Sequence, residues 1–542
     1  MEVPFTVDDL ENEDAAAVER SLRSFTQKNS LPTSFPDLNW SARKKIGNAA
    51  TKILSNCSLA GLHALALEAV RIVARDKANV ESLASEELYA VILQRARLGK
   101  EAHRTFPHDE ELLVTTEAQK VLCNLVFNSK SAQRYFSREE IVEGLMARIS
   151  ANKDTERWPM ENQHLDTKLL FILTILCADV RSPLRQTCRA IQDLCIYATC
   201  LIDKRQHNHV ENVLCEILKT LFNLVYNLRQ EHLTMGEELD LVNMGQVCRE
   251  LLLCSPSDEV KKHVINLLTV VKKHGYSQLL VSVPVTDKEG KSQPLASCFE
   301  GMDMRAIDSV LEFLDAKLAL SSDSKFRPDD NLAPVLCALT NASKAVPTIR
   351  KYLKMMILPP LTDVHTRPEV GDTMRNKLCR LLTSAVSSVR DNAGDLLYAL
   401  CRQNVRRLIK YTGYGNAAGW LAEKGLMGLP QPEPSSMEND EDESDFSDTE
   451  EYLEHKNKIE PVTGVVREDR PDPMAGMTDE QKEQLAMDLV NSMDRVLRTG
   501  VLKPVTIGVD GKPRTVENVM EWREQAMRDR PHVEEPNDSD ED

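Results

Sequence analysis

From the N-terminus to about residue 425, apolar residues recur at steps of three and four. That spacing gathers them on one face of a helix. It predicts helices over Gly61–Arg75, Thr116–Asn128, Lys168–Leu176, Val210–Leu228 and Asp258–Lys273, separated by short polar turns. Period-two alternation is rare. Val281-Ser282-Val283-Pro284-Val285 is the main strand-like piece, and it opens a loop that runs past Gly290 and Pro294. A second loop is expected over Ser321–Asp330.

One helical phrase occurs twice. Leu122-Cys123-Asn124-Leu125-Val126-Phe127-Asn128 returns as Leu221-Phe222-Asn223-Leu224-Val225-Tyr226-Asn227. Each copy is apolar except for two asparagines at i and i+4, which share a helix face. Ala69 to Arg75 keeps the frame with Arg71 and Arg75 at the polar positions, and Val264 to Leu268 keeps Asn266. The steps from Arg71 to Asn124, Asn223 and Asn266 are roughly one, two and one repeats of an armadillo or HEAT array, at about 40–50 residues per repeat. The expectation is an all-α, right-handed superhelical solenoid over residues 1–429, its recurring polar row lining a groove. A lone buried asparagine more often bridges neighbouring helices; recurrence at repeat spacing favours the groove. His263, one turn before Asn266, joins the row as a candidate contact.

Composition narrows the partners. With 542 residues the chain exceeds an ordinary single domain, a limit that stacked repeats escape. A net charge of -17 argues against nucleic acid as the main partner. The 13 cysteines are scattered and include no Cys-x-x-Cys pair, so buried reduced thiols and a cytosolic setting are expected, without metal or cofactor. The acidic N-terminus lacks the signature of a secretory signal, and no apolar run is long enough to span a bilayer.

Near residue 430 the composition changes. Residues 430–474 carry the acidic run from Glu438 to Glu451, and a segment this charged and this poor in apolar residues is expected to be disordered. Ser444, Ser447 and Thr449 lie among carboxylates that suit an acid-directed kinase. Residues 475–500 then read as an amphipathic helix, with Thr478 and Gln481 placed for a capping box. Its stripe contains Leu485, Leu489, Met493 and Leu497, and it either docks back on the solenoid or clasps a partner. Residues 501–542 read as a mostly disordered acidic tail.

No catalytic constellation emerges. Gly290-Lys291-Ser292 is a fragment of a phosphate loop, but Val285 stands where the first glycine belongs. There is no His-Glu-x-x-His and no Gly-x-Ser-x-Gly elbow.

Longer phrases are more specific. They are Leu358-Pro359-Pro360-Leu361-Thr362-Asp363-Val364-His365-Thr366-Arg367-Pro368-Glu369-Val370-Gly371-Asp372, then Ile409 to Gly419, Pro461-Val462-Thr463-Gly464, and Gly476 to Glu483. In this order they resemble the synembryn family from about residue 60 to about 500. That resemblance implies a non-receptor guanine-nucleotide exchange factor and folding chaperone for heterotrimeric G-protein α subunits, whether GDP-bound, nucleotide-free or nascent. It also implies a monomer in the cytoplasm, recruited at times to the cytoplasmic face of the plasma membrane. The C-terminal helix of the α subunit would enter the groove and GDP would leave, with no covalent chemistry. On this reading Arg71 and Arg75 meet carboxylates, while Asn124, Asn128, Asn223, Asn227 and Asn266 bond peptide backbone. Arg350, Lys351 and Lys354 add positive charge further along. Phosphorylation by a kinase such as casein kinase two would fall in the acidic linker. The competing reading is a passive armadillo scaffold or transport adaptor. Import adaptors, however, place tryptophans beside their groove asparagines, and here Trp40, Trp158, Trp420 and Trp522 lie outside the row.

Overall fold

The structure, a computed structural model, describes residues 14–98, 109–153, 158–204, 208–228, 233–254, 257–283, 297–320, 329–427, 448–467, 474, 476–499, 505–507 and 512–515. The chain divides into two compact units, residues 1–316 and 317–542, where the sequence suggested a single array to 429.

Unit 1 runs α1 (Ala15–Lys28), α2 (Trp40–Ser55), α3 (His63–Val73), α4 (Glu86–Arg95), α5 (Asp109–Asn128), α6 (Lys130–Phe136), α7 (Glu139–Ala151), α8 (Met160–Leu176), α9 (Arg181–Gln186), α10 (Ala190–Ile202), α11 (Val210–Val225), α12 (Met235–Leu253), α13 (Asp258–Leu268) and α14 (Lys273–Tyr276). Pieces β1 (Val281–Ser282), β2 (Cys298–Phe299) and β3 (Met302–Asp303) form a small antiparallel sheet, order β1-β3-β2, before α15 (Arg305–Leu320).

Packing follows a ladder. Helices α3, α5, α8, α11 and α13 contact one another in that order, and each also packs on the helix before it: α2, α4, α7, α10 and α12. Groups α6–α7–α8 and α9–α10–α11 have the three helices of an armadillo unit, while α12–α13 is a two-helix HEAT pair. Apolar side chains such as Val70, Leu122, Leu170 and Leu221 are buried between successive rungs, so each helix pair completes its core against its neighbours.

Two buried ion pairs brace the stack. Arg43 of α2 bonds Asp76 at 2.7 Å, and Asp76 also accepts the Phe35 N–H at 2.8 Å and the Ala78 N–H at 2.9 Å. Burial pushes the Asp76 carboxyl up, but Arg43 and the two N–H groups outweigh it and hold it below the usual carboxylate range. A depressed carboxylate stabilises the fold above its unfolded pKa, and that contribution fades as pH falls through the folded value. Asp76→Asn is therefore expected to destabilise the protein clearly at pH 7. Its stability gap from the parent should close once pH drops below the ordinary carboxylate range, as measured by urea titration across pH. Arg148 and Asp166 form the second pair, both fully buried.

All 13 cysteines are free thiols. Burial pushes Cys123, Cys215, Cys248, Cys379 and Cys401 up to about 12, so they behave as small apolar side chains.

Unit 2 contains α16 (Asp329–Ala345), α17 (Pro347–Ile357), α18 (Met374–Leu381), α19 (Ser387–Leu400), α20 (Val405–Thr412), α21 (Tyr414–Lys424), α22 (Glu450–His455) and α23 (Asp479–Arg498), with hairpins β4 (Ile459–Glu460)–β5 (Val465–Val466) and β6 (Val505–Ile507)–β7 (Pro513–Thr515). Its core gathers around α19, which packs on α16, α17, α18, α20 and α21.

Within the segment expected to be a disordered linker to residue 474, residues 448–467 are folded. The reason is local pairing that composition does not register. Asp448 bonds Lys410 and also Lys456 at 3.3 Å, and Lys410 lies 4.5 Å from the Tyr452 ring centroid. Further on, the Tyr414 and Gly415 N–H groups donate to the Pro461 and Val462 carbonyls, and the Val466 N–H to that of Val364, all at 2.8 Å. The phrases 358–372, 409–419 and 461–464, far apart in sequence, thus meet in one place. Gly413 makes the meeting feasible. It has φ +72°, and a Cβ there would stand 3.2 Å from Thr463 and Val462 backbone atoms.

Candidate functional site: the face of the second helices

The face formed by α3, α5, α8, α11 and α13 carries most of the polar row, and the structure assigns those residues more work within the stack than expected. Asn124 Nδ2 donates to the Arg71 carbonyl at 3.1 Å. Asn128 Nδ2 donates to the carbonyls of Ala74 at 2.9 Å and Arg75 at 3.4 Å. These carbonyls end α3, where a helix leaves acceptors without internal partners. In the second copy, Asn223 Nδ2 donates to Thr174 Oγ1 of α8 at 3.1 Å. Asn124 and Asn128 therefore bolt α5 to α3, and Asn223 bolts α11 to α8. The Oδ1 atoms of Asn124 and Asn128 have no partner among the described residues and remain as acceptors.

The cations are also engaged. Arg71 bonds Glu117 at 2.8 Å and Glu68 at 3.1 Å, and Lys120 continues the ladder to Glu117 at 3.2 Å and Glu161 at 3.0 Å. Arg75 donates to the Ser30 carbonyl at 2.6 Å. Burial and the adjacent Arg71 push its guanidinium below the ordinary value, though an arginine stays charged at physiological pH. His263 lies 3.2 Å from Glu259, and burial pushes its imidazole down against the pull of that carboxylate. Asn266 is half-buried on α13, and Asn227 is exposed in the turn after α11.

Three expected cations lie elsewhere. Arg350, Lys351 and Lys354 are on α17 of unit 2. Lys354 does not add surface charge: it is only 5% exposed, and its ammonium lies 5.9 Å from the Tyr411 ring centroid. A lysine can bury its apolar stem while its ammonium faces an aromatic ring.

Sequence reasoning missed the apolar half of the face. Phe127 is 62% exposed, Ile175 48% and Tyr226 61%, while Phe171 and Phe222 are half-buried. Phe222 stacks on Tyr226 at 5.6 Å between centroids, and the Lys219 ammonium lies 4.5 Å from the Phe171 centroid. The signal was in the repeated phrase. Phe127 follows Asn124 by three residues and Tyr226 follows Asn223 by three, so each aromatic shares the asparagines' face instead of the core's.

On the tail, the Thr478–Gln481 capping box forms: Gln481 N–H donates to Thr478 Oγ1 at 3.4 Å, and Thr478 N–H to Gln481 Oε1 at 3.1 Å. Leu485 and Leu489 are exposed on α23; the side chains of Met493 and Leu497 lie outside the described residues. Ser444 and Ser447 also lie outside them. Thr449 is the N-cap of α22, accepting the Tyr452 N–H at 3.2 Å and donating to the Leu361 carbonyl. Among the described residues no group of three or more His, Cys, Asp or Glu side chains is placed to hold a metal ion, and no helix is long and apolar enough to cross a membrane.

Stacked helix groups, each completing its core on the next, define an α-solenoid of the armadillo/HEAT class. Comparison with known proteins supplies the family. Residues 66–512 match the family described as guanine nucleotide exchange factor synembryn, Ric8, and the chain belongs to it. It is 33% identical to "Chaperone Ric-8A" of Danio rerio, covering 95% of both chains, and 34% identical to that of Xenopus tropicalis, covering 93% of this chain and 94% of the relative. "Chaperone Ric-8" of Drosophila pseudoobscura pseudoobscura is 30% identical, covering 95% of this chain and 96% of the relative. Likeness to solved structures is loose: Kap121p covers 77% of this chain and 39% of that chain, at 13% identity and a TM-score of 0.30. The fold is read from the packing of the chain's own helices.

Proposed function

We propose that this chain is a non-receptor guanine-nucleotide exchange factor and folding chaperone for heterotrimeric G-protein α subunits. It holds the C-terminal helix of the α subunit against the second-helix face of unit 1 and so promotes GDP release. The observation that carries this reading is the row of exposed Phe127, Ile175 and Tyr226 and half-buried Phe171 and Phe222, running beside the amide and charge ladder on a chain of this family. An amphipathic helix needs an apolar strip to bury its own apolar face and polar groups alongside to fix its register. Here the strip is aromatic, the amide oxygens of Asn124 and Asn128 accept, and the Arg71–Glu117–Lys120–Glu161 ladder supplies both signs of charge. Exchange then follows from binding the open form of the α subunit better than the closed, GDP-bound form. No covalent step is required.

The tail extends the reading. α23, capped and with Leu485 and Leu489 exposed, is a second clasp on the α subunit. Phosphate on Ser444 or Ser447, added by an acid-directed kinase such as casein kinase two, would tune that grip. The protein acts as a cytoplasmic monomer, drawn to the plasma membrane by its partner.

The test is GDP release from a purified inhibitory-class α subunit, with and without the full chain. Release should quicken in proportion to added protein. Binding without acceleration would leave a chaperone role alone. Absence of both across several α classes would return the chain to the scaffold reading.

A further inference from the structure

Among the described residues, most cations on the second helices are engaged. Arg71, Lys120, Lys219 and Lys262 each face a carboxylate at 3.8 Å or closer, and Arg75 is held by the Ser30 carbonyl. In turn the acids of this ladder, Glu117, Glu161, Glu216 and Glu259, each have a basic partner on the same face. Lys168 of α8 forms no ion pair and no hydrogen bond among the described residues. It is half-buried on the stripe His164, Lys168, Phe171, Ile175, which follows one side of α8 at steps of three and four. A half-buried ammonium has already lost part of its hydration, so a carboxylate brought to it gains more than it would at an open surface.

We infer that Lys168 receives a carboxylate of the docked partner, about one helical turn from the apolar side chain that seats on Phe171. This rests on the use proposed above for this face. The spacing is the content of the inference. Lys168 and Phe171 are three residues apart on one helix, so their side-chain roots are ~5–6 Å apart. A partner helix that fits both carries an Asp or Glu three or four residues from an apolar anchor. Arg71 already shares its charge between Glu117 and Glu68, whereas Lys168 has no acid partner among the described residues.

The experiment measures affinity of the full chain for a purified inhibitory-class α subunit at 50 and 300 mM NaCl, on wild type, Lys168→Met, Lys168→Glu, Lys168→Arg and Lys44→Met. Lys44 is exposed on α2, outside the face. At low salt Lys168→Met is expected to weaken binding about 5- to 20-fold and Lys168→Glu more, since charge-assisted pairs are strong where partly desolvated. Lys168→Arg and Lys44→Met should match wild type, and Lys168→Met should lose part of the salt dependence. Unchanged melting temperatures would show that folding is not the cause. Wild-type affinity and salt dependence in both Lys168→Met and Lys168→Glu would overturn the assignment while leaving the proposed function standing. Failure of the wild type itself to bind any α class would remove that function, and this assignment with it.

Discussion

Phe171→Asp combined with Phe222→Asp should reduce α-subunit binding by about two to three orders of magnitude while leaving the solenoid folded. Both rings are half-buried on the second-helix face, Phe222 against Tyr226 and Phe171 beneath Lys219. Burying an aromatic side chain removes ~150–250 Å² from water, and central aromatic anchors are typically worth about 2 kcal/mol or more each when truncated. Two such losses, with a carboxylate placed in each seat, reach that range. Neither ring is in the core, so the cost to folding is small. Titration of the α subunit onto the variant by interferometry, with far-ultraviolet dichroism as the folding control, decides the matter. Tight binding by a fully helical variant would mean that the partner docks elsewhere.

The largest expected effect on stability comes from Asp166→Ala. Arg148 Nε donates to Asp166 Oδ2 at 2.7 Å, a second guanidinium nitrogen bonds Oδ1, and Arg148 also donates to the Ala96 carbonyl at 2.8 Å. Gln119 Nε2 adds a bond to Asp166 Oδ1 at 2.5 Å, and Asn162 Nδ2 donates to Gln119 Oε1 at 2.7 Å. Burial pushes the Asp166 carboxyl up, and Arg148 opposes it. Removing the acid alone strands a guanidinium with no water to replace its partner, a loss of about 3–5 kcal/mol. Removing both charges does not strand it. Arg148→Met with Asp166→Leu is therefore expected to recover much of the loss, because a buried pair is weak evidence of net stabilisation compared with apolar packing. Calorimetry on the parent, the single and the double variant checks this. A double variant no more stable than Asp166→Ala would mean that packing around Trp158 and Gln119, not charge, sets the cost.

This network also shows where the sequence was hard to read. Helix α11 was legible almost to its ends, expected over Val210–Leu228 and found over Val210–Val225, because its apolar stripe is uninterrupted. Helix α8 was expected only from Lys168, yet begins at Met160. Its first turns carry Asn162, Gln163 and Asp166, all buried. A periodicity argument counts polar residues as surface, so a buried polar network is invisible to it. The same blindness affected Lys354, assigned to the surface and found against Tyr411. It affected residues 448–467 as well, where charge counted toward disorder although Asp448 had lysine partners waiting. Asn124 and Asn128 share one face of α5 as the spacing implied, while Asn227 falls beyond the end of α11; the bonds of Asn124, Asn128 and Asn223 to α3 and α8 depend on rung spacing, which no single helix encodes. The exposed aromatics were legible in principle, three residues after the first asparagine of each phrase.

The amide bolts have a mechanical side. At the α3–α5 joint two asparagines and one arginine cross between rungs, and at the α5–α8 joint Gln119, Asn162 and Lys120 do the same. Sliding either joint breaks several partly or wholly buried bonds together, each costing about 1–3 kcal/mol when left unmade. Apolar contacts, by contrast, tolerate small shear. The first three rungs therefore act as one stiff beam. A ligand lying along these rungs would meet a surface already set in shape, and would lose little to ordering it.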